Sequence, residues 1–140
     1  MMKKTTNSKI AKTAFVAVAM AMAISLYAKS KDDGVMKVTA DNTYIVNTTT
    51  LCRDVKGFRG ATPVEIYIKR NKIVKLVALP NSETPKFFAK VRNSLLPKWA
   101  GLKVKTAAAK DIDGVSGATY SSHAVKQNVA AGLRYYQSHK

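Results

Sequence analysis

Residues 62–79 constrain the fold more strongly than any other part of the sequence. Residues 62–69 alternate apolar and polar side chains, and residues 73–79 form a second run rich in β-branched residues. A polar segment at 70–72 separates the two runs, and Pro80 follows the second one. Two such runs joined by a short polar turn predict an antiparallel hairpin. We therefore expect an antiparallel sheet.

The segments on either side of the hairpin predict one more strand, a short extended piece and two helices. Residues 44–51 are rich in threonine and β-branched residues and predict a strand, and residues 102–106 predict the extended piece. One helix is predicted from Pro85 onward and is expected to end at Pro97; its apolar positions at helical spacing are Phe87, Phe88, Val91 and Leu95. A second, C-terminal helix is predicted from the apolar positions Ala124, Val125, Val129, Leu133 and Tyr136. The expected fold class is α+β, a small antiparallel sheet including the 62–79 hairpin packed with two amphipathic helices.

Residues 1–31 have the composition of a targeting segment. Lysines at positions 3, 4, 9 and 12 precede an uncharged run of 15 residues at 14–28. A basic front followed by such a run predicts a signal peptide or membrane anchor with a linker. We therefore expect an exported chain, periplasmic or at the extracytoplasmic face of the membrane, with one domain over residues 32–140.

The chain carries a large excess of positive charge. It has 24 Lys and Arg against 8 Asp and Glu, a formal net charge of +16, and 46% apolar residues in a length of 140. These values exclude a disordered tail and a multidomain enzyme. The charge suits an acidic protein partner or a membrane surface, whereas the scattered lysines do not predict nucleic-acid binding. Cys52 is the single cysteine, so an intramolecular disulfide is excluded.

Residues 113–122 have the composition of a ligand-binding loop. The segment contains two glycines and four Ser and Thr side chains, directly before the second predicted helix. Glycines allow close backbone approach, and the free N–H groups of a helix N-terminus bind anions, phosphate above all. The alternative interpretation is a glycine turn followed by a Ser or Thr helix cap. The segment is neither a Walker loop nor a dinucleotide-binding fingerprint.

The run Asp-Gly-Val-Ser-Gly-Ala-Thr at 113–119 resembles the flavinylation motif of the FMN-binding domain family, known from the C subunit of the sodium-pumping NADH:quinone reductase and the G subunit of the Rnf electron-transport complex. The resemblance extends over about residues 51–136 and includes the run at 56–60. It implies that a flavin transferase esterifies the phosphate of FMN to Thr119, and that the Ser-Gly-Ala residues before it line the phosphate. The candidate cofactor-binding residues of this loop are Thr119, Ser116, Gly117, Ala118, Asp113, Gly114 and Ser121.

A second part of the resemblance is the Glu-Thr-Pro segment at 83–85. In the family this segment approaches the flavin from another side of the pocket, which adds Glu83 and Thr84 to the candidate residues. Where the large respiratory subunits continue with glycines, this chain continues with Lys-Phe-Phe at 86–88. Those subunits also have longer periplasmic domains, so this chain looks like a minimal stand-alone version of the domain.

The resemblance implies an exported electron-transfer flavoprotein that carries FMN on Thr119 in an extracytoplasmic redox chain. The partners it implies are the flavin transferase and redox donor and acceptor proteins, for which acidic surfaces would suit the positive charge. The sequence shows no catalytic triad, no paired catalytic carboxylates and no metal-ligand cluster, which favours an electron carrier over a self-sufficient enzyme. Two alternatives stay open: a flavin-free basic domain that binds an envelope polyanion, and an oxidoreductase with non-covalent FMN.

Overall fold

Four antiparallel strands in the order β1-β2-β3-β4 form the sheet within residues 32–140, the part of the chain that the computed structural model describes. The strands are β1 (Met36–Val38), β2 (Tyr44–Asn47), β3 (Val64–Lys69) and β4 (Lys72–Ala78). Strands that are neighbours in the sheet are also neighbours in sequence, so every connection returns the chain antiparallel. The targeting segment expected at 1–31 lies outside the described residues.

The predicted hairpin is confirmed. Val64 pairs with Ala78 at its open end, and Lys69 pairs with Lys72 beside the turn. The turn consists of two residues, Arg70 and Asn71, whose φ angles are +51° and +59°. Positive φ at both central residues is the geometry of the type I′ turn, whose twist matches that of the two strands.

The first two strands differ from the sequence pattern. β2 ends at Asn47, whereas the pattern predicts a strand to residue 51. The N–H groups of Leu51 and Cys52 both donate to the Thr48 carbonyl oxygen, at 3.0 and 3.3 Å, so a turn replaces the ladder. β1 is not predicted, because its three residues are too few to show a periodic pattern.

The helix predicted between Pro85 and Pro97 extends further than expected. Helix α1 (Pro85–Lys90) is followed by one π-helical turn, Val91–Leu95, and one 3₁₀ turn, Leu96–Trp99. Pro97 lies in the first turn of the 3₁₀ segment, where its missing N–H costs no hydrogen bond. The prediction that Pro97 ends the helical path was wrong.

A second correction concerns residues 102–106, predicted to be extended. Only Lys103 bridges to the sheet, opposite Lys72, and the chain then forms helix α2 (Val104–Ala109). Its Thr-Ala-Ala-Ala sequence favours a helix once the Val104 N–H is fixed to the Asn71 carbonyl oxygen at 2.8 Å. The described region therefore contains three α-helices rather than the predicted two.

The last helix, α3 (Thr119–His139), packs along the sheet and confirms the α+β fold class. It approaches β3 so closely that a Cβ on Gly132 would lie 2.4 Å from Ile66 Cδ1. A buried hydrogen bond, in which Thr48 Oγ1 donates to Asn128 Oδ1 at 2.7 Å, also connects the helix to the loop after β2. These contacts fix where the N-terminus of α3 lies.

No helix within residues 32–140 is long and apolar enough to cross a membrane.

Candidate functional site

The loop before α3 is a tight turn that requires glycine. The Ala118 N–H donates to the Val115 carbonyl oxygen at 3.1 Å, and Gly117 between them has φ +82°. Ser122 Oγ, from the first turn of α3, accepts the Val115 N–H at 3.0 Å and holds the loop against the helix. Glycine adopts a φ of +82° without strain, whereas other residues rarely do, so the conformation of the turn accounts for the glycine at position 117.

The N-terminus of α3 presents free backbone donors. Ala118 is the N-cap residue, and no side chain caps the helix. The first intrahelical bond runs from the Ser122 N–H to the Ala118 carbonyl oxygen, 2.9 Å, and the N–H groups of Thr119, Tyr120 and Ser121 have no acceptor within residues 32–140. The alternative of a Ser or Thr helix cap is therefore not what the loop forms. Three free N–H groups at the positive end of a 21-residue helix favour an anion.

An open pocket of about 350 Å³ adjoins these donors. Its lining residues are Phe58, Glu83, Thr84, Phe87, Gly117, Ala118, Thr119, Tyr120 and Ser121. Three of them are aromatic and unusually exposed, at 70% for Phe58, 45% for Phe87 and 69% for Tyr120. The rings of Phe58 and Tyr120 lie 6.2 Å apart between centroids. Exposed aromatic rings grouped around a concave surface mark a binding site for a flat, apolar group.

Glu83 brings a buried carboxylate to the same pocket. It is only 6% exposed, and its Oε2 accepts the Arg59 N–H at 3.1 Å. Its Oε1 is buried and has no hydrogen-bond partner within residues 32–140. A Cβ on Gly57 would lie 1.9 Å from that oxygen, so glycine at this position leaves room for the carboxylate. A buried acceptor without a donor is costly, and a ligand donor would satisfy it.

The sequence model of the FMN-binding domain family matches residues 57–134, more than half of the chain. The chain belongs to the FMN-binding domain family. No curated protein and no solved structure matches it. The match begins at Gly57, beside the Glu83 carboxylate, and extends through the loop into α3. It therefore includes every residue that lines the pocket.

The pocket residues fit the cofactor of the FMN-binding domain family. The aromatic side chains suit a flat ring system, the free N–H groups of α3 suit a phosphate, and Glu83 Oε1 suits a polar hydrogen of the cofactor. All three features lie along one concave surface. The domain therefore has a flavin-binding role, for which family membership and pocket chemistry agree.

The structure brings most of the candidate residues of this FMN-binding domain together. Those that line the pocket are Gly117, Ala118, Thr119, Ser121, Glu83 and Thr84. Gly114 and Ser116 lie instead along a neighbouring depression, which Thr119 also lines. Asp113 lines neither surface, and its carbonyl oxygen accepts a hydrogen bond from Lys98 Nζ at 3.0 Å. The loop thus presents two faces, with Thr119 on both.

The sequence does not identify Phe58, Phe87 and Tyr120 as site residues. The helical spacing instead assigns Phe87 to the apolar face of a helix, whereas its side chain is 45% exposed at the pocket. Each lies beside a segment that resembles the family: Phe58 within 56–60, Phe87 just after the Glu-Thr-Pro segment, and Tyr120 next to Thr119. The sequence signal that could have identified these three residues is a large aromatic side chain within or directly beside a motif of the family. Their convergence on one pocket is visible only in the folded chain.

The positive charge of residues 32–140 is mostly unpaired. Residues 32–140 contain 18 Lys and Arg against 8 Asp and Glu. Two ion pairs form among these residues, Lys69 with Asp41 at 2.9 Å and Lys126 with Asp111 at 2.7 Å. The Lys126 hydrogen bond lowers the pKa of Asp111, which keeps that carboxylate ionised. Most of the cations therefore remain available to an anionic ligand or partner.

Proposed function

We propose that this protein is an exported electron-transfer flavoprotein that carries FMN through a phosphoester to Thr119. The observation that carries the proposal is the position of Thr119. Its exposed side chain stands at the first residue of α3, beside the free N–H groups and along the aromatic pocket. A hydroxyl there can bear a phosphate while the attached ring system reaches the pocket.

The first turn of α3 would hold the phosphate. The N–H groups of Thr119, Tyr120 and Ser121 are free to donate to its oxygens, and the helix dipole favours its negative charge. Gly117 keeps the adjoining backbone bare, which allows the phosphate to lie close to the turn.

The aromatic side chains would hold the ring system and exclude water from it. Phe58 and Tyr120 come from opposite ends of the matched region, and Phe87 comes from α1. Glu83 Oε1 would accept a hydrogen bond from the flavin, which gives the buried carboxylate the donor it lacks within residues 32–140. When bound, FMN takes up and releases electrons, so the protein's own task is to position the ring and tune its surroundings.

In the proposed attachment Thr119 provides the accepting oxygen. Its Oγ1 bonds to phosphorus and its proton leaves, while the bond that breaks joins the phosphate to the leaving group of an activated flavin nucleotide. A separate flavin transferase would hold that nucleotide and supply the activation. The phosphoester would keep the flavin from dissociating outside the cytoplasm, whatever the affinity of the pocket.

The charge distribution supports an acidic redox partner. A groove of about 490 Å³ at the hairpin turn is lined by cations and has no acidic side chain among its lining residues. These cations are Arg70, Lys72, Lys103, Lys105 and Lys140. Such a surface would steer an acidic donor or acceptor protein and would also suit an anionic membrane surface.

Intact mass tests the attachment. Protein purified from cells that contain the flavin transferase should carry one covalent FMN, and Thr119→Ala should lose it while its melting temperature matches that of wild type made without the transferase. Thr119→Ser should retain the flavin, because it keeps the hydroxyl. Thr106→Ala is the matched control, since Thr106 is an exposed threonine on α2 away from the pocket.

The alternatives predict other masses. Covalent flavin on Thr119→Ala would show that another residue is the attachment site. FMN that dissociates from the wild type on denaturation would favour an oxidoreductase with non-covalent FMN. Wild-type protein that never acquires flavin would favour a basic domain that binds a polyanion.

A further inference from the structure

We propose that Lys90 recognises the phosphate of the flavin and supplies the positive charge of the phosphate site. This inference rests on the proposed function, and it assigns a role to a residue outside the loop and the Glu-Thr-Pro segment. Lys90 is the last residue of α1, the helix that also provides Phe87.

The amine of Lys90 lies against the bare backbone of the loop. A Cβ on Gly117 would be 3.2 Å from Lys90 Nζ, which is the only atom of residues 32–140 within 4 Å of that position apart from the chain neighbours of Gly117. Gly117 precedes Thr119 by two residues. The cation therefore stands at the turn that leads into the free N–H groups of α3, close to where a phosphate on Thr119 would lie.

The charge of Lys90 is not neutralised by another side chain of the described region. Within residues 32–140 its amine forms no ion pair and no hydrogen bond, and its nearest aromatic neighbour is the Phe87 ring, 5.9 Å from Nζ to the centroid. The carboxylate of Glu83 is buried and accepts the Arg59 N–H. Lys90 is thus a free cation at an anion site.

A second observation places the ligand at the same surface. Glu83 is more than nine-tenths buried, lacks a donor on Oε1 within the described residues, and lines the pocket together with Gly117 and Thr119. FMN has two chemically different ends. The Glu83 carboxylate would accept a hydrogen bond from the ring system, and the Lys90 amine would bind the phosphate. The phosphate keeps one negative charge after it is esterified, so the pairing with Lys90 persists in the attached form.

The test compares FMN with riboflavin, which has the same ring system but no phosphate. Full-length protein made in cells without the transferase is titrated with each flavin by fluorescence, as wild type, Lys90→Gln, Lys90→Arg and Lys86→Gln. Lys86 is the matched control, an exposed lysine one turn earlier on α1. Lys90→Gln should weaken FMN binding about tenfold, the scale of a hydrogen bond to a charged group. Riboflavin binding should change no more than in Lys86→Gln, and Lys90→Arg should keep the preference for FMN.

Three other outcomes each count against a defined part of the reasoning. Equal weakening of FMN and riboflavin in Lys90→Gln would mean that Lys90 only shapes the pocket, and unchanged FMN binding would remove Lys90 from the site; both overturn this inference and leave the flavin pocket intact. Failure of the wild type to bind either flavin would overturn the role of Lys90, whereas the proposed covalent attachment to Thr119 is decided separately by intact mass. Loss of the difference between wild type and Lys90→Gln in high salt would support the electrostatic account.

Discussion

Gly117→Val distinguishes a phosphate site from an ordinary glycine turn. Gly117 has φ +82°, and the nearest atom to an added Cβ is the end of the flexible Lys90 side chain at 3.2 Å. Backbone strain therefore dominates the loss of stability, at about 1–3 kcal/mol. For the 109 residues of Asp32–Lys140 the unfolding entropy is roughly 0.23 kcal/mol/K, so the melting temperature should fall by about 4–13 °C.

Gly101→Val is the matched control for this experiment. Gly101 has the same φ of +82° and does not line the pocket, and no atom of the described residues lies within 4 Å of a Cβ added there. The two variants should therefore lose similar stability through the same backbone strain. Only valine at 117 places a side chain between the turn and Lys90, where the phosphate would lie.

Intact mass is measured on both variants from cells that contain the transferase, and thermal melting by circular dichroism on both variants from cells without it, because bound flavin would itself raise the melting temperature. We expect similar melting temperatures, covalent flavin on Gly101→Val and none on Gly117→Val. A folded Gly117→Val protein with the same flavin content as Gly101→Val would refute the phosphate-site geometry. Equal loss of flavin from both variants would show that stability, not the site, controls attachment.

Two further predictions concern the carboxylate of the pocket and the location of the domain. Gly57→Ala would place a Cβ 1.9 Å from Glu83 Oε1, so it should displace the carboxylate, reduce stability by about 2 kcal/mol and reduce flavin content. Gly60→Ala is the control, because the nearest atom to a Cβ added there lies at 3.7 Å, and it should change neither stability nor flavin content. Urea unfolding measures the stability and intact mass measures the flavin content of both variants. Equal behaviour of the two variants would contradict the close-packing argument. Cell fractionation should place the full-length protein outside the cytoplasm, and its recovery in the cytosol would remove export from the proposal.

The hairpin and the last helix are predictable because their signals are local. Alternation along 62–69 and 73–79 specifies two strands, and the polar residues between them specify the turn. The glycine turn before α3 is equally local, since Gly117 and the helix start lie within a few residues of each other. Short segments with mixed signals are less predictable. The helical path continues through Pro97 because a wider, π-helical turn precedes the 3₁₀ turn that contains this proline. The residues after Lys103 form a helix, although their sequence predicts an extended segment, once Lys103 is paired with Lys72 of β4.

By itself the sequence determined the α+β class, the family resemblance and the hydroxyl at Thr119, because each depends on residues adjacent in the chain. Only the tertiary structure decided how the pocket is assembled. Phe58, Glu83 and Lys90 reach the loop from separate segments, and Lys90 lies 27 residues before Gly117 in the sequence. Their meeting depends on how α1 and α3 pack on the sheet, and long-range packing of that kind leaves no periodic signal in the chain.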